Sequence, residues 1–149
     1  MHTELINYFS IDKYEELNNG IFKYFVDKNK VKEVLFHLKN QPEFSFDMLL
    51  CVTCMDNSEL FELCYDLYST QTNTNIIMAT TISREDPIIN TVTEVFKSAN
   101  WDEREIFDLF GVTFIGHNNL KRLLLPKDWI GHPLRKDYEL NDERLAWNK

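Results

Sequence analysis

The sequence predicts an α+β fold: a mixed, mainly antiparallel sheet with helices packed on it, followed by an extended C-terminal tail. Three observations carry this. Residues 46–55, 59–69 and 75–82 are strand-like runs joined by short turns, which favours antiparallel pairing. Val31, Val34, Leu35 and Leu38 recur at helical spacing. Beyond Gly111 neither period continues, and Gly131 and Pro133 interrupt any regular structure.

In chain order, residues 21–26 form a short strand, and Asp27 is placed to N-cap a helix running to about Asn40. His37 lies on that helix as a surface or boundary residue. Residues 46–55 read as a buried strand, and Asp56-Asn57-Ser58 as a turn. In the next strand Phe61, Leu63, Tyr65 and Leu67 share one face, with Glu62 and Asp66 on the other. A turn over 70–75 leads to a third strand rich in β-branched residues. Pro87 ends the sheet region, and residues 89–97 suggest a helix.

A further helix is predicted over 101–110. Asn100 is its N-cap, and Glu103, three residues on, completes a variant capping box. Asp102 and Glu103 suit the positive end of the helix dipole. Arg104 and Asp108 are spaced to pair, Ile106, Phe107 and Phe110 form the apolar face, and Gly111 terminates the helix. These bounds divide the chain into a body, 1–111, and a partner-binding tail, 112–149. A long segment without regular structure needs a surface to lie on, and we expect that surface on a partner protein.

Composition excludes several classes. The chain has 149 residues, 44% hydrophobic and 27% charged, which is ordinary for one globular domain. No apolar run approaches the roughly 20 residues of a membrane helix. Met1-His2-Thr3-Glu4 does not open a signal peptide, so a cytosolic protein is expected. Four glycines provide neither a dinucleotide fingerprint nor a phosphate loop, so no NADH, flavin or ATP is expected on this chain.

Cys51 and Cys54 form a CxxC, but three residues apart on a strand they point to opposite faces, and Cys64 adds a single further thiol. His117 and His132, each after a glycine, are not at a zinc spacing. No metal is expected. Residues 117–136 carry Lys121, Arg122, Lys127, Arg135 and Lys136 against Asp128 alone, a local +4 that leaves −12 on the rest of a chain of net charge −8. A basic segment on an acidic body fits docking onto an acidic protein surface, and the acidic body, which repels phosphates, argues against nucleic acid.

The run from Trp101 to Tyr138 carries a resemblance. Ala99-Asn100-Trp101, Glu103-Arg104-Glu105, Asp108, Phe110-Gly111, Phe114, Gly116-His117, Leu120, Arg122, Leu124 and the whole of Gly131 to Tyr138 match a family signature. Upstream, Tyr65 to Ser69 is similar to the family's strand ending in Leu-Tyr-Ser. The chain resembles the C-type (30 kDa-type) subunit of the proton-pumping NADH:quinone oxidoreductase, respiratory complex I. That family has relatives in membrane-bound nickel-iron hydrogenases and F420H2 dehydrogenases. Phe107, Leu109 and Asn118 depart from its usual Tyr, Met and Pro.

The resemblance implies a non-catalytic structural and assembly subunit of the hydrophilic arm. It lies peripherally on the cytoplasmic side and reaches the membrane only through the complex. The implied partners are the D-type large-subunit homologue and the B-type and I-type iron–sulfur proteins. Iron–sulfur clusters, flavin and quinone belong to the partner subunits, with no cofactor on this chain. We expect the partner interface at Glu103, Arg104, Glu105, Asp108, His117, Arg122, Gly131, His132, Pro133, Arg135, Lys136, Asp137 and Tyr138. Helix capping explains the Glu-Arg-Glu cluster equally well. Two alternatives stay open: the equivalent subunit of a hydrogenase or F420H2 dehydrogenase, and a free-standing small enzyme using Glu103, Glu105 and His132.

Overall fold

The computed structural model describes residues 2–17 and 20–139. It opens with α1 (His2–Phe9) and β1 (Lys13–Glu16), followed by β2 (Phe22–Phe25) and α2 (Val31–Asn40). Three long strands come next: β3 (Met48–Asp56), β4 (Leu60–Ser69) and β5 (Thr74–Ser83). Then come β6 (Ile88–Asn90), α3 (Ala99–Phe110) and β7 (Thr113–Ile115). Five strands form one sheet in the order β1-β2-β5-β4-β3, antiparallel throughout except for the parallel β2–β5 pair. β6 and β7 form a separate parallel pair. The fold is α+β and mainly antiparallel, as the sequence predicts.

The period-two pattern of β4 fixes the core. Phe61, Leu63, Tyr65 and Leu67 are fully buried, opposite Ile82, Thr80, Met78 and Ile76 of β5. α2 adds its buried stripe of Val31, Val34, Leu35 and Leu38 to the same cluster. α3 contributes Ala99, Ile106 and Phe110, the last edge-on to Phe61 at a ring distance of 5.9 Å. A leucine buried in this way contributes roughly 1.5–3 kcal/mol by removal from water.

Several local expectations change. Asp27 does not cap α2; its carboxylate accepts the Asn29 N–H at 2.8 Å in the preceding turn, and the helix begins at Val31. β3 is buried on one face only, leaving Met48, Leu50 and Met55 exposed, because only the face carrying Leu49 and Val52 joins the core. Residues 89–97 are not a helix. Ile88–Asn90 is instead drawn into parallel pairing with β7, and a turn about Val92 follows. Asn100 lies inside α3, with Ser98 at the N-cap position; the Ser98 hydroxyl donates to Leu49 O at 3.3 Å rather than capping the helix.

The CxxC pair sits on β3 after a register shift between Leu49 and Cys51. Cys54 packs toward the core opposite Leu63, whereas Cys51 lies opposite Asp66 on the other face. Burial pushes the Cys54 thiol up to about 12 and the Cys64 thiol to about 11, so neither is a ready thiolate.

Candidate functional site: helix α3 and the strap that closes its end

The signature residues gather at α3 and at the segment 120–138, which contains no helix or strand and lies along the body as a strap. The last ten residues of the expected tail, 140–149, lie outside the described residues.

Any helix leaves its last carbonyls without intrahelical partners. Here the strap supplies them. His132 Nδ1 lies 2.9 Å from Asp108 O; a carbonyl only accepts, so the ring proton is assigned to Nδ1. The Leu134 N–H donates to Leu109 O at 3.1 Å, and Arg135 Nε donates to Phe110 O at 2.6 Å. The Arg135 guanidinium also stands over the Phe61 ring, 5.2 Å from its centroid. Two guanidiniums, Arg122 and Arg135, thus sit at the negative end of the helix dipole.

Asp108 is the centre of this arrangement. Its Oδ2 accepts three consecutive backbone N–H groups, from Leu123, Leu124 and Leu125, at 2.9, 2.8 and 2.9 Å. Oδ1 accepts Arg122 Nη1 at 2.7 Å. Burial works to raise this carboxyl, but the Leu125 N–H, Arg122 and the two neighbouring N–H groups outweigh it and hold it below the usual carboxylate range. Arg122 Nη2 reaches on to Trp129 O and Gly131 O at 3.1 and 3.2 Å. The expected Arg104–Asp108 pair is replaced. Arg104 instead donates to the carbonyls of Lys121 and Arg122 at 3.2 and 3.3 Å and stacks over Trp101.

Glycine is required at two of these contacts. Gly111 has φ +76, and a Cβ there would meet the His132 ring at 2.6 Å and Arg135 Nη2 at 2.9 Å. Gly131 has φ +84, and a Cβ would meet the Tyr138 ring at 2.7 Å. Tyr138 folds back over this turn and its hydroxyl donates to Ile130 O at 3.3 Å.

The strap's far end is pinned to the sheet. The Lys136 N–H donates to Asp56 Oδ2 at 2.9 Å, Arg84 Nε donates to both Asp56 oxygens at 3.0 and 3.1 Å, and Arg84 also pairs with Asp137. Nothing in the sequence around Asp56 or Arg84 marks them as partners of the tail; β3 and β5 bring them there.

Glu103 is fully buried, far from any capping role. It accepts the Val92 N–H at 2.8 Å and is bonded to the Thr91 hydroxyl at 2.5 Å. His117, also enclosed, is 4.0 Å from it. Glu105 points to solvent. The structure therefore does not bring Glu103, Glu105 and His132 together. An open depression between α1 and α2, lined by Tyr8, Lys30, Glu33 and His37 among others, contains none of the signature residues. Among the described residues, no group of His, Cys, Asp and Glu is arranged to hold a metal, and no helix is long and apolar enough to cross a membrane.

The outward face of the strap is different in character. Leu124, Ile130 and Leu134 are 61%, 87% and 51% exposed. Lys121, Lys127, Lys136 and Asp137 are exposed beside them.

Residues 24–144 match the family described as the respiratory-chain NADH dehydrogenase, 30 Kd subunit. The chain belongs to this family. The C-type subunit of the NADH-quinone oxidoreductase of Roseiflexus sp. (strain RS-1) is 36% identical over 131 residues, covering 86% of this chain and 75% of that protein. The C-type subunit of Trichlorobacter lovleyi is 42% identical over 119 residues, 77% of this chain and 72% of its own length. A second form of relative is the C/D-type subunit of Baumannia cicadellinicola, 36% identical over 147 residues; there the match covers 91% of this chain but 24% of the relative.

Among solved structures, Nqo5, as a trypsin-resistant fragment (1-134), superposes with a TM-score of 0.70 at 27% identity, covering 80% of this chain and 96% of that one. A chain of the membrane-bound sulfane sulfur reductase, an archaeal respiratory membrane complex, reaches a TM-score of 0.80 over 99% of this chain and 86% of its own. At 22% identity that likeness is one of fold alone. The fold of this 30 Kd-type subunit is thus shared across respiratory membrane assemblies.

Proposed function

We propose that the chain is a non-catalytic structural and assembly subunit of the peripheral arm of an NADH-quinone oxidoreductase, docking on the D-type large subunit. The observation that carries this is the set of outward apolar residues Leu124, Ile130 and Leu134 on a strap that is bonded inward to α3 and to the sheet. Side chains this exposed and apolar, rimmed by lysines, suit a protein partner. The C/D-type relatives support the choice of partner, since both parts occur there in one protein.

In this reading Glu105, Lys136 and Asp137 contact partners directly. Arg104, Asp108, Arg122, Gly131, His132, Pro133, Arg135 and Tyr138 act by holding the strap in its docking shape, while Glu103 and His117 lie beneath the turn that leads into it. The neighbouring B-type and I-type iron–sulfur proteins complete the surroundings. Electron transfer, with its iron–sulfur clusters, flavin and quinone, takes place on partners, on the cytoplasmic side of the membrane.

Co-purification with a tagged D-type large subunit tests this. The double variant Ile130→Asp, Leu134→Asp is expected to fold normally and fail to co-purify. Retained co-purification at wild-type yield would remove the docking surface from the strap.

A further inference from the structure

The buried Glu103 is not used by the docking surface, and its surroundings are those of a proton site. Among the described residues, no Lys or Arg pairs with it. Arg104, its neighbour, is turned to the carbonyls of Lys121 and Arg122. His117 is closest, at 4.0 Å, but its Nδ1 lies 3.0 Å from the Asn119 N–H. A backbone N–H only donates, so Nδ1 accepts and the single ring proton is assigned to Nε2, 3.3 Å from Asn100 O. A second proton on His117 would break the Asn119 bond that shapes the turn.

The remaining contacts suit a neutral acid. Glu103 Oε2 is 2.5 Å from Thr91 Oγ1, which is 2.9 Å from Thr93 Oγ1. With the acid protonated, Oε2–H donates to Thr91, and Thr91 donates onward to Thr93. The Val92 N–H donates to the other oxygen at 2.8 Å. The groups facing this carboxyl are Asp102 on its own helix, Tyr65 from β4 and His117 from the turn after β7. Asp102 opposes a charge on Glu103. The Tyr65 hydroxyl is fully buried and has no hydrogen-bond partner among the described residues, so it too offers no compensation.

We propose that Glu103 is a buried proton-binding site that latches the 116–119 turn onto α3: the protonated acid lets the turn close, and ionisation opens it to water. On opening, the O–H bond of the acid breaks and its proton passes to bulk water. The carboxylate keeps the Val92 N–H and regains the Thr91 hydroxyl as a donor. An uncompensated buried charge is costly, and the turn that carries His117, 4.0 Å from the carboxyl, covers it. Burial, with Asp102 as a lesser contribution, raises the carboxyl to about 7, against the Thr91 and Val92 hydrogen bonds. The latch therefore operates around neutral pH, well above the range of an ordinary carboxyl group.

Carbon-13 NMR of the full chain, labelled at glutamate carboxyls, tests this directly. The Glu103 signal, identified by its loss in Glu103→Gln, is expected to titrate near pH 7. In parallel, amide protection factors at Val92 and Asn119 are expected to fall about tenfold between about pH 6 and pH 8, following the linkage of a raised carboxyl to local opening. Glu103→Gln should abolish that pH dependence. Titration of the wild-type signal in the ordinary carboxylate range overturns the proposal whether or not the variant folds. So does protection that is independent of pH, or a Gln variant with the same pH profile.

Discussion

The carboxylate of Asp102 accepts the backbone N–H of Val52 at 2.8 Å, so the first turn of α3 occupies the outer edge of β3. Ser98 adds a bond to Leu49 O on the same edge. An edge strand with free N–H and C=O groups is a template for pairing with other chains, and covering it with a helix is one remedy.

Asp102→Ala should therefore act in two ways. Leaving a part-buried N–H without an acceptor is expected to cost about 1–3 kcal/mol in urea unfolding. The bared edge should also raise self-association, seen by light scattering at moderate concentration. A variant as stable and as monomeric as wild type would mean that the edge needs no guard.

Asp108 carries a pH signature. Its folded carboxyl sits below the unfolded value of 3.8, so its stabilisation is complete above that value and is lost as pH falls through the folded one. The strap should loosen in acid below about pH 4, read as faster amide exchange at Leu123 to Leu125. Asp108→Asn removes the pH dependence and the charge partner of Arg122, which keeps its carbonyl contacts, at an expected cost of roughly 1–3 kcal/mol. Asp56, depressed by the Lys136 and Ser58 N–H groups and Arg84 against the opposing effect of burial, loosens the other end in the same window.

Gly111→Ala combines a left-handed residue with two overlaps, on His132 and Arg135. The conformational part alone costs about 1–2 kcal/mol. Because the overlaps fall on the strap, the expected outcome is selective: early tryptic cleavage after Lys121 or Lys127, with the body's melting temperature lowered only modestly. Uniform loss of the whole fold would show that strap and body unfold as one unit.

Core and surface leucines should separate stability from assembly. Leu63→Ala, in the buried sheet face, is expected to cost roughly 2–5 kcal/mol. Leu124→Ala, 61% exposed, should change stability by no more than about 0.5 kcal/mol. Its effect should appear instead as weaker co-purification with the D-type large subunit.

Local periodicity makes β3, β4, β5 and α2 legible, because each forms within a few residues of its neighbours and buries a face that repeats. The parallel β2–β5 and β6–β7 pairs are not legible, since parallel pairing joins strands distant in sequence. α1 and β1 carry too short a pattern to separate from a loop. In the site, Gly111 reads as a helix terminator and is one. What escapes is that Asp108 and Arg122, or Gly111 and His132, are partners of each other: side-chain-to-backbone contacts across a loop leave no period behind. Charge alone directs Arg122 and Arg135 toward a partner, whereas helix α3 needs both for its own carbonyls.

The cap of α3 is made after the helix it serves. Its last carbonyls are synthesised more than twenty residues before His132, Leu134 and Arg135 are made to cover them. At roughly 5–20 residues per second the helix end waits a second or more for these partners. A chain stopped before His132 has none of the three bonds by which His132, Leu134 and Arg135 cover the end of α3. Closure of the α3 end thus waits until synthesis has passed Arg135.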